Sequence, residues 1–296
     1  MPTLKDIQLK IAGVKKTKQI TKAMNMVATS RLRGAQANMD AFRPYAGKFG
    51  EVLGSLAEKA GEEASPLLVP KEEVKKIHIV LCTSDRGLCG GFNINLIDKA
   101  QALIDEKAGA EASFSITNFG KKGRDYCKKS GFDIVEEHLG VVGATFDFSV
   151  ASTAGKKLVD GFLGGDYDEV YVIFSEFLGM AKQVPVVQQL LPIPAIEKDE
   201  EDLDADVPYQ AEHLCEPSAD ELLGELLPRN IYVQLFKALL ETSTSEHAAR
   251  MMAMDNATNA CNDMIDELTL TYNKARQSAI TADLMDIVGG AEALKG

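Results

Sequence analysis

Near both ends of this 296-residue chain, apolar residues recur at alternating steps of three and four, the spacing that keeps one narrow stripe on one side of a long helix. Leu4, Ile7, Ile11, Val14, Thr17, Thr21, Met24 and Ala28 form the first stripe, within a helix expected over roughly 3–58. Met254, Ala257, Cys261, Met264, Leu268, Thr271, Ala275 and Ala279 form the second, within a helix expected over roughly 217–290. At 1.5 Å per residue each helix is on the order of 80 Å long, more than a compact domain of this size can enclose. The two are therefore expected to project as a rod and to cover each other's stripes.

The charge is segregated along the chain. Residues 1–34 hold Lys5, Lys10, Lys15, Lys16, Lys18, Lys22, Arg31 and Arg33 against Asp6 alone, a net +7. Residues 197–225 hold twelve acids against Lys198, a net −11. A basic rod predicts an acidic partner, with a merely solvated helix face as the plainer reading. Composition fits a soluble cytosolic protein: 45% of residues are hydrophobic, tryptophan is absent, and no stretch reaches the roughly 20 apolar residues of a membrane span. Lys5, Asp6, Lys10 and Lys15 interrupt the place where a signal peptide's apolar region would sit, so no leader is expected. Five cysteines without a CxxC pair argue for reduced thiols.

Between the helices, strand and helix signals alternate. Strands are expected at 76–82, 112–119, 132–136, 169–177 and 183–191, and helices at 94–107 (capped by Asn93), 120–129 and 147–162. This order predicts a mostly parallel sheet in a Rossmann-like α/β domain, with the proline-bearing strand at 183–191 on an edge. The domains read as 1–60, an N-terminal coiled-coil helix; 61–216, the α/β domain with an acidic loop at 197–216; and 217–296, a C-terminal coiled-coil helix. Ser218 and Glu221 form a capping-box signature, and Pro228 predicts a bend or restart.

Candidate chemistry is thin. SDRGLCGGFN (84–93) sets glycines between a strand and a helix, where a phosphate could sit, but it matches neither GxGxxG nor GxxxxGK[ST]; a tight turn is the plainer reading. The four histidines show no metal-ligating pair, and no nucleophile–base–orienter set emerges from spacing, so no catalytic, cofactor or metal site is expected.

Four segments carry a resemblance. KDIQLKIAGVKKTKQITKAMNMVATSRLRGAQ, SDRGLCGGFN, SEHAARMMAMDNATNAC and YNKARQSAITADLMDIVGGAEAL together resemble the γ-subunit family of the F-type ATP synthase, of bacterial type, and span residues 5 to 294. The last segment has Asp283 and Asp286 where the family more often has glutamates, and the cysteine-bearing insertion of the chloroplast relatives is absent. The resemblance implies an antiparallel, left-handed coiled coil of the terminal helices inside a hexamer of α and β subunits. It also implies an α/β domain beside the ε subunit and the ring of c subunits, one copy per complex, at the cytoplasmic face of the bacterial inner membrane. The implied function is a central rotor shaft that couples proton-driven rotation of the ring to ATP synthesis at the β subunits, and the reverse during hydrolysis. By the same resemblance Lys15, Lys16, Lys18, Lys22, Arg31 and Arg33 face acidic β-subunit loops, and Met24 meets the catalytic ring. Arg250, Arg276, Gln277 and Thr281 match polar stator contacts, and Leu284, Ile287 and Val288 an apolar apical bearing.

Two other classes compete. A DNA-binding coiled coil would pair parallel helices around an uninterrupted basic block, but here the stripe from Leu4 to Met24 runs through the basic segment itself, so no nucleic-acid partner is expected. An α/β enzyme with helical extensions would need a phosphate or metal site that the sequence does not supply.

Overall fold

Helices and strands alternate through the middle of the chain because the hydrophobic period switches there between two and 3.6. The computed structural model describes residues 3–60, 65–71, 73–108, 112–194 and 219–293. In order they form α1 (Leu4–Ala60), β1 (Lys76–Cys82), α2 (Phe92–Lys107), β2 (Ser113–Phe119), α3 (Lys121–Ser130), β3 (Asp133–His138), α4 (Phe148–Gly164), β4 (Glu169–Gly179), β5 (Lys182–Leu191) and α5 (Ala219–Ala293). The chain divides into two compact units, Ser30–Ala249 and, separately, the chain up to Thr29 together with Arg250 onward. The breaks fall inside α1 and α5 rather than at residues 60 and 217, because Leu53, Leu56, Leu223, Leu227, Ile231, Leu235 and Leu239 belong to the sheet's own core. The acidic loop at 197–216 and the Ser218 cap lie outside the described residues.

In the Ser30–Ala249 unit, five strands form one sheet in the order β3-β2-β1-β4-β5. The first four are parallel, and β5 returns antiparallel along β4 at the edge, the place its prolines allow. Alternation along the strands builds a core on each face. Ile77, Ile79, Leu81, Tyr171 and Ile173 pack with Phe92, Leu96, Ala100 and Leu103 of α2 and Cys127 of α3. Val80, Cys82, Val170, Val172 and Phe174 pack with α4 and with the sheet-side parts of α1 and α5. Pro228 neither ends nor restarts α5, which runs on through it.

The second unit is a helix pair. Gln8 Nε2 donates to Tyr272 Oη at 2.8 Å, the Thr21 and Thr258 hydroxyls meet at 2.8 Å, and Asn25 Nδ2 donates to the Met251 carbonyl at 2.9 Å. Numbers rising along α1 meet numbers falling along α5, so the pair is antiparallel. Within residues 4–28 the more enclosed positions step as 4, 7, 11, 14, 18, 21, 25 and 28, and within 251–279 as 251, 254, 258, 261, 265, 268, 272, 275 and 279. Thr17, Met264 and Thr271, expected on the stripes, are exposed; Lys18, Ile265 and Tyr272 take those places. Thr3 and Asp6 close the start of α1 with a reciprocal cap: the Thr3 amide donates to the Asp6 carboxylate at 3.0 Å, and the Asp6 amide donates to the Thr3 hydroxyl at 3.3 Å.

Candidate partner-binding surfaces

The basic face of α1 begins as ordinary helix-forming sequence with lysines at positions the seam leaves outside. Lys15, Lys16, Lys22, Arg31 and Arg33 are exposed and Lys18 is half-buried; Arg31 and Arg33 lie in the sheet unit and the rest in the helix pair. Among the described residues none of these six, nor Lys5 or Lys10, makes an ion pair with a carboxylate of the same chain, whereas Lys48, Lys71, Lys107, Arg124, Lys128 and Lys157 all do. Six uncompensated cations on one face keep their full field for another molecule. Met24 is half-buried beside the seam.

On α5, Arg250 is half-buried, and Arg276, Gln277 and Thr281 are exposed. The Thr281 hydroxyl returns to the Gln277 carbonyl at 2.9 Å. Past Ala279 every described side chain through Glu292 is exposed. Ile280, Leu284, Ile287 and Val288 recur at helical steps of four, three and one, so they share a face, and Ile287 is 72% exposed. An apolar face of that length left in water marks a surface that another molecule covers.

The glycine-rich turn after β1 is consumed by the fold. Asn93 does not cap α2, which starts at Phe92 with Gly91 before it; its amide is bonded inward instead, accepting from the Ser84 amide at 2.9 Å and donating to the Ser84 hydroxyl at 2.8 Å. The next residues occupy the N-terminus of α3: Thr83 Oγ1 accepts from the Gly123 amide, the Ser84 carbonyl from Lys122 and the Asp85 carboxylate from Lys121. Gly120 precedes that helix with φ +102, and a Cβ there would lie 2.1 Å from the Thr83 carbonyl oxygen, so only glycine fits. The amides that would cradle a phosphate are thus already bonded, which favours the tight-turn reading. Among the described residues no three His, Cys, Asp or Glu side chains gather as metal ligands, and no helix is long and apolar enough to cross a membrane.

One polar cluster went unread in the sequence. Residues 241–248 of α5 are buried all round, although they read Glu-Thr-Ser-Thr-Ser-Glu-His-Ala. β4 outruns β1, whose pairing with it ends at Leu81–Ile173, so the backbone of Ser175 meets α5 instead of a strand. The Ser175 amide donates to Thr242 Oγ1 at 3.4 Å, Ser245 Oγ donates to the Ser175 carbonyl at 3.1 Å, and the Gly143 amide donates to Ser243 Oγ at 3.2 Å. Burial raises the Glu241 carboxyl above the ordinary carboxylate range, with Lys237 opposing. The Glu246 carboxylate lies 2.9 Å from His247 Nδ1. Four successive hydroxyls inside an otherwise apolar helix were the available signal.

A family model described as ATP synthase matches residues 3–294. The ATP synthase gamma chain of Desulfosudis oleivorans is 68% identical over 298 residues, with both chains covered in full. That of Desulforapulum autotrophicum is 64% identical, with 99% of this chain and 100% of the relative covered. Among solved structures, a chain of the Euglena gracilis mitochondrial ATP synthase, in a structure of its OSCP/F1/c-ring, superposes with a TM-score of 0.65 at 18% identity, covering 98% of this chain and 94% of that one. A chain of the Tetrahymena thermophila central stalk and c-ring gives 0.58 at 23% identity, covering 80% of this chain and 99% of that one. Fold and relatives together define a subunit of ATP synthase. Within that class, the chain belongs to the family of ATP synthase gamma chains.

Proposed function

We propose that the chain is the central shaft of a bacterial F-type ATP synthase, which transmits rotation and makes no bonds itself. The observation that carries this is the pair of unmet surfaces on the helix pair: a basic face without intrachain partners and an apolar end of α5 that nothing in the chain covers. In this reading Lys15, Lys16, Lys18, Lys22, Arg31 and Arg33 face acidic loops of the β subunits, with Met24, Arg250, Arg276, Gln277 and Thr281 as further contacts to the surrounding α and β subunits. Leu284, Ile287 and Val288 turn in an apolar sleeve. The sheet unit sits beside ε and the ring of c subunits, one copy per complex, at the cytoplasmic face of the inner membrane. No catalytic, cofactor or metal site belongs to the chain, in keeping with a glycine-rich turn whose amides are spent on packing.

A sliding contact next to a +7 segment cannot accept another cation without gripping the acidic loops in one position. Met24→Lys is expected to lower proton pumping per ATP hydrolysed in membrane vesicles while the complex still assembles, and Met24→Leu to be nearly silent. Full coupling in the Met24→Lys complex would sink this assignment of Met24.

A further inference from the structure

The stripe on α1 can be drawn in two ways. Val14, Thr17, Thr21, Met24 and Ala28 make the more apolar one; the structure seats Val14, Lys18, Thr21, Asn25 and Ala28. Each residue turns the helix by 100°, so moving two seats of five rotates α1 by roughly 40° about its axis. Apolar burial does not select this setting, because it brings a lysine and an amide to the seam and leaves Thr17 in water. Nor is the setting inherited from elsewhere along the helix. A straight α-helix drifts by about 20° per heptad against a seven-residue seam, so two heptads accumulate the whole difference. A local contact has to hold it.

Thr21 lies on both stripes, so its contact with Thr258 does not discriminate between them. Gln8 and Tyr272 meet where solvent competes. Asn25 remains: its amide donates at 2.9 Å to the Met251 carbonyl, a group fixed by the helix that carries it. A single polar residue in a coiled-coil seam gives up some stability and specifies the pairing. The seam around it is built of small or pliant side chains, Ala28, Met251, Met254 and Cys261, which tolerate a rotation that a layer of β-branched residues would resist.

We propose that Asn25 sets the rotation of α1 against α5 and thereby keeps Met24 at the flank of the seam instead of in it. The consequence for coupling rests on the reading of Met24 as a contact to the catalytic ring; the rotation itself does not.

Counting in heptads from the Thr21–Thr258 pair places Lys18 level with the native Cys261. The test uses the full-length chain with Cys215→Ser, carrying either Lys18→Cys or Thr17→Cys, and compares the rates of disulfide formation with Cys261. With Asn25 present, position 18 is expected to cross-link at least about tenfold faster than position 17, because bridging demands close Cα atoms and converging Cβ vectors. Asn25→Leu, which keeps the volume and removes the donor, is expected to bring the two rates within about twofold, and Asn25→Gln to preserve the difference. Asn25→Ala serves as a second variant without added bulk. An unchanged ratio in both the Leu and the Ala variants overturns the proposal. In assembled complexes, a collapsed ratio with full proton pumping per ATP upholds the role of Asn25 and removes Met24 from the catalytic-ring contact.

Discussion

His78 shows what the fold does to a single titratable group. It lies on β1 with no exposed surface, its Nδ1 2.7 Å from Ser115 Oγ, its Nε2 3.0 Å from Thr117 Oγ1 and its ring against Tyr167 at 4.2 Å. Burial pushes it down from 6.5 to about 4, with the Glu136 charge opposing. The unfolded chain therefore takes up a proton below about pH 6.5, and the folded chain does so only near pH 4. Stability from this residue is complete above pH 6.5 and is lost as pH falls toward 4, by about 3 kcal/mol in all. Unfolding free energies measured across this window are expected to slope less with pH in His78→Asn; identical slopes would mean that the ring is charged in the folded protein. Neighbours decide such a residue's state, and neighbours in space are what a sequence conceals. Asn93 makes the same point: its place before a helical run reads as a cap, yet Ser84, nine positions back, draws the amide inward.

At the scale of elements, the alternation of strand and helix was plain in the sequence, because buried parallel strands are short apolar runs set between amphipathic helices. All five strands and the three intervening helices fall within a few residues of expectation, and Pro185 placed β5 at the edge. The helix seams were legible only in period. Alternating steps of three and four fix how often the helices touch, whereas Lys18 and Asn25 sit on the seam against their polarity. The hydroxyl run of α5 was illegible for the opposite reason: it completes a sheet, serving the one stretch of β4 that has no β1 residue beside it. Ser245→Ala leaves the buried Ser175 carbonyl without that donor, and Thr242→Val leaves the amide without its acceptor, each at an expected cost of about 1–3 kcal/mol. Ser152→Ala, which removes an exposed bond on α4, should cost almost nothing. Urea unfolding of the three variants decides this; if Ser245→Ala behaves like Ser152→Ala, the helix is not finishing the sheet.

At the scale of the whole molecule the question is how a shaft can be held and still turn. Leu284, Ile287 and Val288 are between 50% and 72% exposed, so a partner that covers them removes much of their apolar surface from water. Burying an apolar side chain of this size is worth about 1.5–3 kcal/mol in full, and the attraction has no preferred direction, so a sleeve can hold all three while they slide. Hydrogen bonds would grip differently, each adding roughly 0.5–1.5 kcal/mol to the barrier as it broke at every step. The residues beyond Val288 begin with Gly289 and Gly290 and include no large apolar side chain before Leu294. Deleting 289–296 is therefore expected to leave ATP synthesis and hydrolysis in the assembled complex nearly unchanged. Ending the chain at Ala279 removes the whole exposed face and is expected to lower the torque-coupled rate without abolishing it, because the helix pair up to Ala279 keeps its seam. Rates for both truncations, measured in assembled complexes, separate the possibilities: equal damage from the short and long deletions would mean that the end of α5 is held by something other than its apolar face.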